Sequence, residues 1–153
     1  MASTINAKST GAGGLDYTGD SSGVLALQTG GVTAVSISTS QVVTVNGNTI
    51  GTGGGNVSGN TAFGSSALDA NTTGAENVAI GSSALVLNTT GADNTAVGYR
   101  ALAANVTGTN NTAIGAVALR NNTVNNNTAV GIYALYNNTT GAPNEALGSQ
   151  ALY

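Results

Sequence analysis

Cysteine, histidine and tryptophan are all absent from this sequence of 153 residues, and phenylalanine, methionine and proline occur once each. Without Cys or His the chain has no disulfide, no thiol nucleophile, no imidazole base and no ordinary zinc site. We therefore expect no metal, no cofactor and no enzymatic activity. Charged residues make up only 6%, with three Lys or Arg against six Asp or Glu. Three basic residues cannot neutralise a phosphate backbone, so we also expect no binding to nucleic acid.

Long apolar runs are missing as well. The run from Val24 to Leu27 is typical of the longest and is far shorter than a membrane span. The first eight residues lack the apolar stretch of a secretion signal. We expect synthesis in the cytoplasm and no membrane insertion. Because the chain is 41% hydrophobic and nearly uncharged, its composition predicts a folded protein and not a disordered one.

The sequence is rich in glycine (23), asparagine (20) and threonine (22), and these residues follow a repeat. Each copy has Asn, a small or polar residue, Ala, a bulky apolar residue, Gly, two variable residues and then Ala-Leu. The copies are 16 to 17 residues apart and begin at Asn60, Asn77, Asn94, Asn111, Asn127 and Asn144. A second phrase, Asn-x-Thr-Gly, separates most copies; around Asn122 it is one residue shorter and lacks its Gly.

This period is too short for a helix-turn-helix repeat, and Asn, Thr and Gly in every unit disfavour helix. The central residues alternate as in a strand, with the bulky residue on one face and Ala on the other. Gly and Asn tolerate positive φ, so we expect them to form the corners. The sequence predicts an all-β fold in which six repeats stack as a parallel β-roll, or β-solenoid. Its expected ladder of bulky residues is Phe63, Ile80, Val97, Ile114, Val130 and Leu147.

One coil of this kind offers two bulky side chains and two alanines, which is little apolar surface to offset the ordering of its backbone. We therefore expect the alanine face to pack against neighbouring subunits. That face comprises Ala62, Ala79, Ala96, Ala113, Ala129 and Ala146. The interpretation predicts an obligate homo-oligomer, most simply a homotrimer.

The units Asn77-Val-Ala-Ile-Gly81 and Asn94-Thr-Ala-Val-Gly98 resemble the head repeats of trimeric autotransporter adhesins. The resemblance covers residues 60–153 and implies a left-handed parallel β-roll with three chains side by side. The period here is slightly longer, and the sequence shows neither a coiled-coil stalk nor a membrane-anchor segment. We expect the roll geometry to carry over, but not secretion or anchoring.

The front of the chain follows a different pattern. Residues 1–22 are small and polar and predict an extended arm. Residues 23–50 contain three alternating runs separated by short polar segments, which predicts a small antiparallel meander that docks on a partner. Residues 51–59 are rich in Gly and predict a linker or hinge. A phosphate-binding loop is disfavoured there because no Lys-Ser/Thr ending follows.

Three phrases stand out in this front region: Ser3 to Ala7, Gly23 to Thr29 and Val32 to Ile37. They resemble N-terminal segments of tailed-phage virion proteins, notably those of phages of cyanobacteria. In such proteins, which include fibres and capsid-decorating proteins, the front attaches to the particle and the rear projects. The resemblance implies a location on the virion surface and other virion proteins as partners.

Several alternative sites have simpler interpretations. Glu76 and Asp93 are a candidate pair of hydrolytic carboxylates, but they occupy equivalent positions in adjacent units and are better explained as a solvated face. The turns carry Asn and Thr where a calcium-binding repeat needs Asp. The glycosylation sequons at Asn71, Asn88, Asn105 and Asn138 keep the register of the repeat, so a corner role explains them better.

Exposed aromatic residues are the remaining candidates. Tyr99, Tyr133 and Tyr136, together with Tyr153, lie at variable positions of the late repeats, where they could contact a glycan or cap the last coils. We favour capping, because a terminal coil must cover its open edge. A Thr array suited to ice or carbohydrate (Thr61, Thr95, Thr112 and Thr128) is interrupted by Val78 and Glu145.

These patterns together favour a non-enzymatic virion structural protein. The leading hypothesis is a trimeric, cement-like projection that decorates the capsid and docks through its N-terminal region. The alternative is a short tail fibre or adhesin that binds a host-surface glycan through Tyr99, Tyr133, Tyr136 and the loops of the roll.

Overall fold

The computed structural model describes residues 25–29, 32–37, 43–45 and 47–153, which form ten β-strands and one short 3-10 turn, Gly54–Asn56. The predicted arm, residues 1–22, lies outside the described residues. Within them, no helix has the length and apolarity needed to cross a membrane. The strands are β1 (Leu25–Thr29), β2 (Val32–Ile37), β3 (Val43–Val45), β4 (Asn48–Gly51), β5 (Thr61–Gly64), β6 (Val78–Ile80), β7 (Thr95–Val97), β8 (Thr112–Ile114), β9 (Thr128–Val130) and β10 (Glu145–Leu147).

All ten strands belong to one sheet and follow one another in chain order. Neighbours from β1 to β5 are antiparallel, whereas β5 to β10 are parallel. In the parallel part the same repeat position pairs from coil to coil, as in Ala79 with Ala96 and Ile80 with Val97. The prediction of an all-β fold with a β-solenoid is therefore confirmed, and the solenoid makes about five turns.

The front region continues directly into the solenoid. The three predicted runs correspond to β1, β2 and β3, and a fourth strand, β4, pairs antiparallel with β5. The Gly-rich segment 51–59, which the composition predicts to be a linker or hinge, packs on the first coil. Gly53 is buried there, and the Gly54 N–H donates to the Leu68 carbonyl at 2.8 Å. The sheet thus continues directly from the meander into the roll through the pairing of β4 with β5.

The strand alanines point into the coil, which corrects the predicted alanine interface between subunits. Ala79, Ala96 and Ala113 are fully buried within the single chain, against the Ala-Leu pairs of the opposite side. The coil is narrow, so one Leu per turn fills most of its width and leaves room for only a methyl group on the strand. The core consists of Ala62, Ala67, Leu68, Ala79, Ala84, Leu85, Ala96, Ala101, Leu102, Ala113, Ala118, Leu119, Ala129, Ala134, Leu135 and Ala146.

The corner prediction is confirmed for the repeat Gly, whose φ is positive in all six copies, but not for the six repeat Asn residues, none of which has positive φ. Left-handed backbone occurs instead at the core leucines, such as Leu85 and Leu102 with φ of 51° and 52°. It occurs again two residues before each of these leucines and, in several coils, just before the repeat Asn. A Leu in this region is strained by about 1–2 kcal/mol. Complete burial of its side chain offsets that strain.

Glycine is required at a corner where successive coils approach closely. Gly81 has a φ of 129°, and a Cβ added to it would lie 2.6 Å from the Gly98 carbonyl oxygen of the next coil. Gly64 has the same relation to Gly81. The invariant glycine of the repeat therefore sets the spacing of the coils at this corner.

The Asn side chains of the repeat form two buried columns and do not have the corner role that the sequence predicts for them. In the first column, the Asn94 side-chain amide donates to the Gly108 carbonyl at 2.8 Å, and its oxygen accepts from the Asn111 backbone N–H at 3.0 Å. In the second column, the Asn88 amide donates to the Asn71 side chain and to the Gly91 carbonyl. Among the described residues, every buried side-chain nitrogen and oxygen has a hydrogen-bond partner. These ladders hold the interior together without a large apolar core.

The shortened fourth linking phrase keeps both columns intact. The Val124 carbonyl takes the place of the missing Gly carbonyl and accepts from Asn122 at 2.6 Å and from Asn111 at 2.9 Å. The bonds from Asn to Asn therefore continue through the shortened phrase, and the Asn127 amide donates to the Asn125 carbonyl at 2.9 Å in place of the next Gly carbonyl.

Candidate functional site

The outward side of the sheet carries a continuous apolar column. Because Ala faces inward, the bulky residue next to it in each strand points away from the core; the Phe63 side chain is 51% exposed and Leu147 is 83% exposed. The antiparallel pairing of Ile50 with Phe63 extends this column into β4. We call the set the outer column: Ile50, Phe63, Ile80, Val97, Ile114, Val130 and Leu147.

A more polar column runs beside the outer column on the same side of the strands. The strand register places Thr95 beside Thr112 and Thr112 beside Thr128, and it also places Val78 and Glu145 in this row, as predicted. The Thr side chains here are exposed or half-buried. The outer column therefore lies on a face that carries one charged residue, Glu145, among residues 47–153.

The late tyrosines form one cluster across the last coils. The ring centroids of Tyr133 and Tyr136 are 5.5 Å apart, and those of Tyr136 and Tyr153 are 5.4 Å apart in a stacked arrangement. Tyr153 meets Tyr133 edge-on at 5.9 Å. These contacts join the last two coils, and they support a capping role without excluding contact of the exposed ring surface with a sugar.

Tyr99 lies apart from these aromatic pairs. Its side chain is half exposed, and the guanidinium carbon of Arg100 lies 5.2 Å from its ring centroid. A second cation, Arg120, belongs to the tyrosine cluster: its Nη1 donates to the Tyr136 hydroxyl at 2.8 Å, and its guanidinium carbon lies 5.7 Å from the Tyr136 ring centroid. The two arginines are therefore each associated with an aromatic ring.

A shallow groove of about 320 Å³ lies between the two arginines. Its floor is low because the third coil places Ala103 and Ala104 where its neighbours have larger side chains. The groove is lined by Ser83, Val86, Leu87, Arg100, Ala103, Ala104, Arg120 and Asn121, none of which belongs to a strand. The strongest cationic feature of residues 47–153 thus lies on a different surface from the outer column.

The acidic candidates are not assembled into a site. Glu76 and Asp93 are both exposed and occupy equivalent left-handed positions just before the repeat Asn. Within the described part of the chain, no group of three or more acidic residues is arranged to hold a metal ion. The Asn residues of the sequons at 71, 88 and 105 are buried with their amides hydrogen-bonded, as the ladders require.

The sequence pattern identifies the tyrosines as candidate site residues but not the two arginines. The available signal is positional: Arg120, Tyr136 and Tyr153 each follow the core Leu of their repeat, so stacking must place them in one row. It also misses Ile50, because nothing in the sequence shows that β4 joins β5 in the register that aligns Ile50 with Phe63. Comparisons with protein-family models, with curated proteins and with solved structures found no match to this chain.

Proposed function

We propose that the chain is a non-enzymatic structural protein of a tailed-phage virion, in which three copies form a cement-like projection on the capsid. The N-terminal region docks on other virion proteins, and the solenoid stands out from the particle surface. The protein is made in the host cytoplasm and acts on the assembled virion. The observation that carries the proposal is the outer column, which leaves a row of bulky apolar side chains without a partner in the single chain.

The occupant of the outer column is a second copy of the same column. Neighbouring strands are about 4.8 Å apart in every parallel sheet, so two such rolls placed side by side match coil for coil. Because the row contains no charge, its burial leaves no ion unpaired, and each Å² of apolar surface that the interface covers contributes about 25 cal/mol. A rotation that closes after three copies buries the row of every chain around one axis. This arrangement replaces the alanine interface that the sequence suggested.

The oligomeric state tests this part of the proposal. We expect a trimer by native mass spectrometry and by sedimentation velocity at micromolar concentration. The double change Ile80→Asn and Ile114→Asn should give a folded monomer, because it places amides in the middle of the interface. The matched control, Thr73→Asn with Thr107→Asn, changes two exposed residues of the Asn-x-Thr-Gly side and should stay trimeric. A wild-type monomer with a β-sheet circular dichroism spectrum contradicts the trimer.

The location on the particle needs a separate experiment. Antibody labelling of purified virions, viewed by electron microscopy, should decorate the capsid surface. Label confined to the tail tip contradicts the capsid assignment and favours a fibre. Virions without label contradict the virion assignment altogether.

A receptor-binding function is the second candidate, and the arrangement of the aromatic and cationic side chains on one surface favours it. As a short tail fibre or adhesin, the chain would use its exposed Tyr rings and loops to contact a host-surface glycan. Specific binding on a glycan array that is lost with Tyr133→Ala supports this function. If no saccharide on the array is bound, the receptor-binding function is rejected.

A further inference from the structure

We infer that the groove between Arg100 and Arg120 binds an acidic oligosaccharide, with the two guanidinium groups on its carboxylates or sulfates. This inference rests on the second candidate function and names its ligand class and its principal residues. It is independent of the trimer, because the residues that line the groove are separate from the outer column.

The two arginines are available for a ligand. They lie on adjacent coils, and they are the basic residues of residues 47–153. Arg120 uses Nη1 on the Tyr136 hydroxyl and the Asn121 side chain, which are neutral groups and hold the guanidinium in place without neutralising it. Arg100 rests on the Tyr99 ring. A guanidinium held in this way recognises carboxylates and tetrahedral oxyanions such as sulfate through two parallel N–H donors.

The surface beside the arginines suits a sugar chain and not an isolated ion. Backbone hydrogen bonds stack the relevant segments: Leu87 donates to the Ala103 carbonyl at 3.3 Å, Ala104 to that of Arg120 at 2.9 Å, and Asn121 to that of Tyr136 at 3.0 Å. Successive side chains after the core Leu therefore form a straight row. We call this row the flank strip: Val86, Ala103, Arg120, Tyr136 and Tyr153.

The flank strip matches an extended oligosaccharide in length and in chemistry. Its repeat of about 4.8 Å is close to the length of one sugar unit in an extended chain. The groove has small side chains at Ala103 and Ala104, Asn121 offers an amide for hydroxyl groups, and the tyrosine cluster offers ring faces for stacking. Asp69 occupies the same row on the far side of Val86, so the acidic ligand is expected to extend from the groove toward Tyr136 and Tyr153.

Isothermal titration calorimetry at physiological ionic strength tests the inference with two tetrasaccharides of one backbone, oligogalacturonate and its methyl ester. We expect the full-length protein to bind the acid and to bind the ester at least tenfold more weakly. Arg100→Gln and Arg120→Gln should each weaken binding of the acid by about tenfold or more. Arg100→Lys should recover part of the loss, because it restores the charge but not the paired donors.

The matched control is Thr107→Glu, which lowers the net charge by one at an exposed position on the Asn-x-Thr-Gly side. It should leave the affinity within about twofold, since distant exposed charges are screened. Circular dichroism checks that each variant keeps the β fold. Arg100→Gln is expected to disturb the fold less than Arg120→Gln, because Arg100 is exposed and Arg120 is half-buried.

The remaining outcomes overturn the inference in distinguishable ways. Equal binding of acid and ester, lost with Tyr133→Ala but kept with Arg100→Gln, rejects the acidic site and leaves glycan binding standing. Full competition by inorganic phosphate at the affinity of the tetrasaccharide rejects a sugar ligand in favour of a simple oxyanion. Failure to bind the acid, combined with an empty glycan array, rejects both the site and the receptor-binding function.

Discussion

At the scale of single residues, asparagine is the residue on which the fold depends. Its frequency and its spacing are plain in the sequence, but Asn has two distinct properties: tolerance of positive φ and an amide that both donates and accepts. The sequence pattern cannot separate the two, and the positive-φ corner role that it suggests is wrong for all six repeat Asn residues. The buried amides instead link consecutive coils, as Asn77, Asn94 and Asn111 do.

The Asn ladder predicts a large effect from one interior substitution. Asn94→Ala removes the acceptor of the Asn111 backbone N–H and leaves that donor buried without its partner. We expect a loss of about 2–3 kcal/mol in the free energy of unfolding, measured by chemical denaturation. Asn137→Ala is the control: Asn137 is exposed, and its amide oxygen accepts only from the surface amide of Asn121. The control should change stability by about 0.5 kcal/mol or less, and equal losses in the two variants would contradict the ladder's importance.

At the scale of one coil, the sequence predicts the strand, its register and the parallel stacking, but not which face is inside. A period of two assigns Ala and the bulky residue to opposite faces and leaves the choice open. The small-residue face is expected to be the outer one, because Ala allows close approach between chains. In the structure the Ala face is inside, because the coil is narrow. Leu102 and its equivalents cross the interior, and only Ala fits opposite them.

The spacing of coils gives a prediction with an internal control. Gly81 and Gly148 both have φ in the left-handed half of the map, 129° and 120°, so Ala is strained at either position. Only Gly81 faces another coil, because a methyl group added there would lie 2.6 Å from the Gly98 carbonyl oxygen, whereas one added to Gly148 would meet open space. We expect Gly148→Ala to cost about 1–3 kcal/mol and Gly81→Ala about 1–3 kcal/mol more. Equal melting temperatures of the two variants would contradict a steric limit on coil spacing.

At the scale of the whole molecule, the solenoid is a one-dimensional stack whose stability falls toward an unpaired end. Leu119 in the middle of the stack is fully buried, whereas its counterpart Leu152 in the last coil is 64% exposed. Each coil is stabilised mainly by its neighbours, so the last one has half of the usual contacts. The tyrosine cluster lies at this unpaired end of the stack. Capping of the last coil therefore explains the position of the cluster.

Capping predicts a local effect on the last coil. Tyr153→Ala removes the ring that stacks on Tyr136 and meets Tyr133, and such aromatic pairs contribute about 0.5–1.5 kcal/mol each beyond the area they bury. The amides to follow by hydrogen exchange are Gly148 and Gln150, which donate to the preceding coil at 2.8 Å. We expect both to exchange roughly tenfold faster, because local opening of the last coil loses this stabilisation while the inner coils keep theirs.

Tyr99→Ala is the matched control for this experiment, since Tyr99 is also exposed but contacts Arg100 and lies outside the cluster. It should leave exchange at Gly148 and Gln150 unchanged, and the inner amide of Gly98 should keep its protection in both variants. Unchanged exchange in Tyr153→Ala would contradict capping. The ring stack would then stabilise nothing within the chain, and contact with a ligand along the flank strip would be the better explanation for three tyrosines at one end of the roll.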